Sequence, residues 1–202
     1  MEQPVAGKTR SPATPIEDLD KEELLALARL NIERGDLEAA LIKLKRVLAD
    51  ASPPEEALAM GGRLYAQLGL RERAKDLFQR YIDKRPGAVN ETFQLGMVHF
   101  DSGEAAQAKK IWEGVLKAAP AHPPALFHYG LLMAQQGQVL QAKQSLNALL
   151  KGVPADNLYA ARAKELLQRL ETQARPESAS GNGGEGRDPL RIAPKDPYRT
   201  EH

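Results

Sequence analysis

Residues 28–44 read ARLNIERGDLEAALIKL, and this stretch decides the fold. A small residue, Ala28, sits in an apolar stripe at helical spacing (Leu24, Leu27, Leu30). Gly35-Asp36 then breaks the stripe, because glycine takes the left-handed conformation that ends a helix at little cost. A second stripe follows at Ala40, Leu41, Leu44, Val47 and Leu48. The turn glycine recurs at Gly69, Gly103 and Gly137, a constant step of 34 residues. Ala28 is matched by Gly62, Gly96 and Gly130. Ala40 is matched by Ala74, Ala108 and Ala142, and Leu44 by Phe78, Trp112 and Leu146. Ser52, Pro86, Pro120 and Pro154 close the four units. A fixed period of this size marks a repeat array.

This frame resembles the tetratricopeptide repeat (TPR) family, a helix–turn–helix unit with a small–large–small code. The match covers residues 21–54, 55–88, 89–122 and 123–156 without an insertion. The departures are local. The family's early Trp column holds Leu24, Leu58, Thr92 and Leu126. Its Tyr column holds Asn31, Tyr65, His99 and Met133. Its late Ala column holds Val47, Tyr81, Val115 and Leu149. The resemblance implies an all-α solenoid of αα-hairpins wound into a right-handed superhelix.

Domain boundaries follow from composition. Residues 1–19 are Pro- and Thr-containing and poor in apolar side chains, so they read as a disordered leader. The repeat domain spans 20–174. Asp20 and Glu23 have capping-box spacing at its start, and Ser52 with Glu55 has it again. Asp156 is expected to cap one further helix, from Asn157 to about Ala174, whose charged face (Arg162, Lys164, Glu165, Arg169, Glu171) would close the stack. No helix is expected before the first unit, so its Leu25 and Arg29 face is expected to be partly bare. The columns Leu30/Leu64/Val98/Leu132 and Leu48/Ile82/Leu116/Leu150 are apolar throughout and are expected to be buried. Leu116→Ala is accordingly expected to cost about 2–5 kcal/mol.

Residues 175–202 form a Gly/Ser/Pro-rich tail. It contains Asp188-Pro189-Leu190-Arg191 and, eight residues on, Asp196-Pro197-Tyr198-Arg199. The near-duplicate reads either as a solvated tail or as a short motif that docks on a partner or on the chain's own groove.

Composition narrows function. Of 202 residues 42% are hydrophobic, enough for a core, and the net charge is +1. Basic residues are matched by acids and not interleaved with aromatics, which argues against nucleic acid. The chain has no cysteine, so no disulfide and no thiolate metal site. No stretch approaches the roughly 20 apolar residues of a membrane span, and residues 1–18 hold no apolar run of the kind a signal peptide needs. A cytoplasmic location is expected. His99, His122, His128 and His202 show no metal-binding or catalytic spacing, so neither an enzyme nor a cofactor is expected.

In the TPR family the first helices of the hairpins line a concave groove that receives peptides or helices. Carried over by position, the groove residues are Arg29, Arg63, Phe93, Met97, Phe100, Phe127 and Leu131. The two arginines would pair with acidic flanks of a ligand. The phenylalanines and methionine would form an exposed apolar patch, which marks interaction sites. The competing reading makes Phe93 and Phe100 fillers of the gaps left by Thr92 and His99, and Arg29 and Arg63 part of a solvated helix face with Glu33 or Glu56 nearby. The family's co-chaperone branch uses a Lys and Asn pair to hold a C-terminal carboxylate. Leu25 and Arg29 stand there instead, so that ligand class is not expected. The resulting expectation is a non-enzymatic adaptor for a partner peptide or amphipathic helix. The alternatives are a self-associating homo-oligomeric scaffold and a small chaperone for secretion or envelope-assembly clients.

Overall fold

The computed structural model describes residues 16–173. The expectations for 1–15 and 174–202, including the Asp-Pro-apolar-Arg pair, lie outside the described residues. The described chain is all-helical: a 3-10 turn (Ile16–Asp18), then α1 (Lys21–Glu33), α2 (Leu37–Leu48), α3 (Glu55–Gln67), α4 (Arg71–Lys84), α5 (Val89–Asp101), α6 (Ala105–Ala118), α7 (Pro123–Gln135), α8 (Val139–Gly152) and α9 (Leu158–Gln173). It forms two compact units, divided within α3 between Gly61 and Gly62.

In the first unit α1 packs on α2. The Asp20 side chain accepts the Glu23 amide (2.8 Å) and Glu23 returns the bond to the Asp20 amide (3.0 Å), the capping box read from the sequence. The 3-10 turn precedes this box and is tied to α2 by the Arg46 guanidinium, which donates to the Glu17 carbonyl (2.7 Å). Arg29 is exposed as expected, and the exposed large apolar side chains of α1 are Leu27 and Leu30. Leu25, expected at that face, is buried, because it turns inward with Leu24 and Ala28.

In the second unit α5 pairs with α6, α7 with α8, and α9 lies against both α7 and α8. Each turn is closed by the same bonds. The Gly103 amide donates to the Phe100 carbonyl (2.9 Å), and the Glu104 amide to the His99 carbonyl (2.9 Å). This is a Schellman ending, and it needs the positive φ of Gly103 (78°). Its counterparts Gly35, Gly69 and Gly137 have φ of 72–76°.

The small–large code is a literal contact. A Cβ on Gly96 would overlap the Trp112 indole, standing 2.7 Å from its Cδ1, and one on Gly62 would stand 2.9 Å from Phe78. Trp112 Nε1 donates to the Phe93 carbonyl (3.3 Å) and Ser145 Oγ to the Leu126 carbonyl (2.8 Å). In both cases a buried side chain on a second helix satisfies itself on the helix before it.

Three expectations need correction. Leu48, Ile82, Leu116 and Leu150 are only half-buried, since their outer edges face solvent; Leu116→Ala therefore falls at or below the lower end of the expected cost. Leu30 is exposed, unlike its column mates. The start of α9 is served by Asn157, whose Oδ1 accepts the Tyr159 amide (2.9 Å), one residue later than Asp156.

Two glycines give opposite expectations in urea denaturation. Gly103→Ala should destabilise by about 1–2 kcal/mol, because alanine is strained in the left-handed turn. Gly114→Ala, mid-helix with nothing within 4 Å of the added carbon, should stabilise by up to about 1 kcal/mol.

Candidate functional site

The sequence-predicted groove residues fall in both units. Arg29, on α1, makes an ion pair with Glu56 within the first unit. Arg63, in the second unit, stands 3.6 Å from Glu91 of α5. An exposed pair such as Arg29 and Glu56 contributes about 0–1 kcal/mol, so it sets charge placement more than stability; Arg63 and Glu91 are partly buried. Glu56 is one of the acids expected near the two arginines, whereas Glu91 lies one repeat beyond Arg63.

Phe93, Met97, Phe127 and Leu131 are 4, 1, 1 and 6% exposed. The exposed apolar patch expected of them is therefore absent among the described residues: these side chains are core. The reason lies in their neighbours. Phe93 stacks on Trp112 (6.2 Å between ring centres) and tilts against His122 (5.4 Å) and His128 (5.6 Å). Phe127 meets His128 edge-on (5.2 Å) and lies 5.7 Å from Tyr159. Phe100, only partly buried, packs its ring 5.6 Å from Trp112. An aromatic run thus passes from α5 through α7 to α9, each ring offset or tilted as ring quadrupoles prefer. Phe93 and Phe100 thus both pack on Trp112. Exposed amide side chains of Asn90 and Gln135 stand at the ends of α5 and α7.

The sequence alone does not mark Trp112, His122, His128 and Tyr159 as members of this run. An aromatic residue in Trp112's column was legible, but its reach across two helices depends on Gly96. His122, beside Pro123, is the N-cap of α7. Its Nδ1 accepts the Ala125 amide (3.2 Å), which leaves Nε2 to donate to Asn90 Oδ1 (3.2 Å). Burial pushes the His122 pKa down. Burial, and then the Arg162 charge, push His128 down to about 3, so it is neutral near pH 7. His128 Nδ1 is inaccessible and has no hydrogen-bond partner.

A polar knot lies elsewhere on the second unit. Lys75 Nζ is 2.7 Å from Glu72 and 2.9 Å from Glu104, whose other oxygen pairs with His99. The Glu72 hydrogen bond, and after it Glu104, raise the Lys75 pKa; the Lys75 hydrogen bond, and after it His99, lower that of Glu104. His99 is thereby a satisfied structural residue. Among the described residues no group of three or more His, Asp or Glu could hold a metal ion, and no helix is long and apolar enough to cross a membrane.

Successive antiparallel helix pairs with small–large contacts define a helical-repeat protein. Residues 56–88 and 99–170 match the family patterns described as tetratricopeptide repeat, together just over half of the chain. The chain belongs to the tetratricopeptide-repeat family, whose repeats generally mediate protein–protein interactions. Solved structures agree on the fold. YrrB, described as a TPR protein with an unusual peptide-binding site, is 19% identical over 72% of this chain and 74% of its own, with a TM-score of 0.63. MamA from Desulfovibrio magneticus RS-1 is 23% identical over 77% and 98%, with a TM-score of 0.62. A thermophilic TPR protein from Thermus thermophilus is 21% identical over 76% and 82%, with a TM-score of 0.58. No curated protein sequence matches the chain.

His128 sets an acid limit. Unfolded, it takes up a proton below its ordinary pKa of 6.5; folded, it does so only near 3. Stability should therefore fall as pH drops from about 6.5 toward 3, by up to about 1.4 kcal/mol per unit. Denaturation of wild type and His128→Leu across that range should show the slope reduced in the variant.

Proposed function

We propose that the chain is a non-catalytic adaptor that holds a peptide or short amphipathic helix of a protein partner on the α5/α7 face. Family membership supports the class, and YrrB offers a precedent for peptide binding on this fold. The observation that carries the reading is the make-up of that face. Phe93, Met97, Phe127 and Leu131 form a sealed, close-packed floor, Phe100 is the part-open aromatic, and the amides of Asn90 and Gln135 frame it. A stiff floor loses little entropy when a ligand docks. Amide side chains can both donate to and accept from an extended ligand backbone. Arg63, shared with Glu91, adds a cation for an acidic ligand residue.

The burial of Phe93 and Phe127 rules out charge substitutions there as a clean test, since they would disrupt the core. Peptides selected on the full chain from a displayed random library, titrated into isotope-labelled protein, give a direct one. Amide shifts are expected to cluster around Asn90, Phe100 and Gln135. Phe100→Ser with Gln135→Arg should weaken binding about tenfold or more, with helical circular dichroism unchanged. Shifts confined to α6 and α8, or affinity indifferent to these variants, would refute the reading.

A further inference from the structure

At matching positions three apart, the first helices of three hairpins carry two large side chains: Leu27 and Leu30 on α1, Leu95 and Val98 on α5, Tyr129 and Leu132 on α7; α3 has Gly61 and Leu64 there. In the second unit α5 packs on α4 and α7 on α6. There Leu95, Val98 and Leu132 are 6, 0 and 2% exposed. Leu27 and Leu30 are 36 and 37% exposed, because among the described residues no α-helix precedes α1. The α1 face thus has the side chains of a helix-packing surface but, among the described residues, no preceding helix against it.

We infer that a second copy of this chain covers it, the two α1 helices packing antiparallel across a two-fold axis. The register is written in the residues. Glu23, Leu27, Leu30 and Arg34 lie on one stripe, at spacings of four, three and four. Leu27 and Leu30 are symmetric about the point midway between Ala28 and Arg29, and so are Glu23 and Arg34. One antiparallel register therefore sets Leu27 opposite Leu30 of the second copy and Glu23 opposite its Arg34, and each contact occurs twice. A two-fold contact must be self-complementary in this way. Glu23 and Arg34 are exposed. Glu23 uses Oε2 in the capping box, and a carboxylate accepts several donors. Head-to-tail stacking on α9 is disfavoured, because that helix turns Lys164, Glu165, Gln168 and Glu171 to solvent. A seam of two short helices is small, so the dimer is weak and forms reversibly. This contact is separate from the α5/α7 face and stands or falls without it.

Sedimentation of the full chain from micromolar to millimolar concentration tests it. Wild type should pass reversibly from monomer to dimer, and Leu30→Glu should raise the dissociation constant at least about tenfold. The charges allow a sharper arm. Glu23→Arg sets arginine opposite arginine, and Arg34→Glu sets glutamate opposite glutamate, so each variant alone should stay monomeric at low salt. Mixed in equal amounts they should dimerise, because both variants then meet an opposite charge between unlike copies. A wild type monomeric throughout would overturn the inference and leave the face to another occupant. So would a dimer indifferent to Leu30→Glu, or a mixture no more associated than its components.

Discussion

The missing side chain of Gly96 determines how closely α5 and α6 approach. Trp112 fills the space so completely that a methyl group at 96 would overlap the indole ring. Core packing at this density tolerates no such overlap without a backbone shift. The same arrangement appears where Gly62 meets Phe78 and Gly130 meets Leu146. The first repeat, where the large residue is Leu44, carries Ala28 instead. A small residue thus faces a large one in every repeat, glycine in three and alanine in the first, and that contact sets the distance between paired helices.

That distance governs the candidate site. With Trp112 drawn in, its ring reaches both Phe93 and Phe100, and its N–H finds the Phe93 carbonyl. Phe93 then lies against His122 and His128, and the run continues through Phe127 to Tyr159. The face of α5 and α7 inherits a rigid aromatic base, while recognition of a ligand is left to the part-open Phe100 and the polar groups around it. The desolvated, neutral His128 belongs to the same base, which makes acid one of the conditions that weaken it.

The repeat was legible in the sequence because its signals are local. A turn glycine every 34 residues, a capping box at Asp20 and matched small and large columns each act within a few residues or one hairpin. Exposure was not legible in the same way. Leu30 and Leu132 occupy one column, yet one is open and the other sealed, because burial depends on whether a helix lies alongside. Phe93 and Phe127 hold positions that face a groove in the family, and here large neighbours close over them. Arg63 found Glu91, a partner one repeat further along that no single-unit pattern foretells.

A double-mutant cycle on Gly96 and Trp112, read by urea denaturation, tests the matching of small to large most directly. Beside tryptophan, Gly96→Ala should cost about 1–3 kcal/mol. In a Trp112→Leu background, which recreates the Ala28 and Leu44 combination of the first repeat, the same change should cost little, giving a coupling of about 1 kcal/mol or more. Effects that simply add, within about 0.5 kcal/mol, would contradict the account.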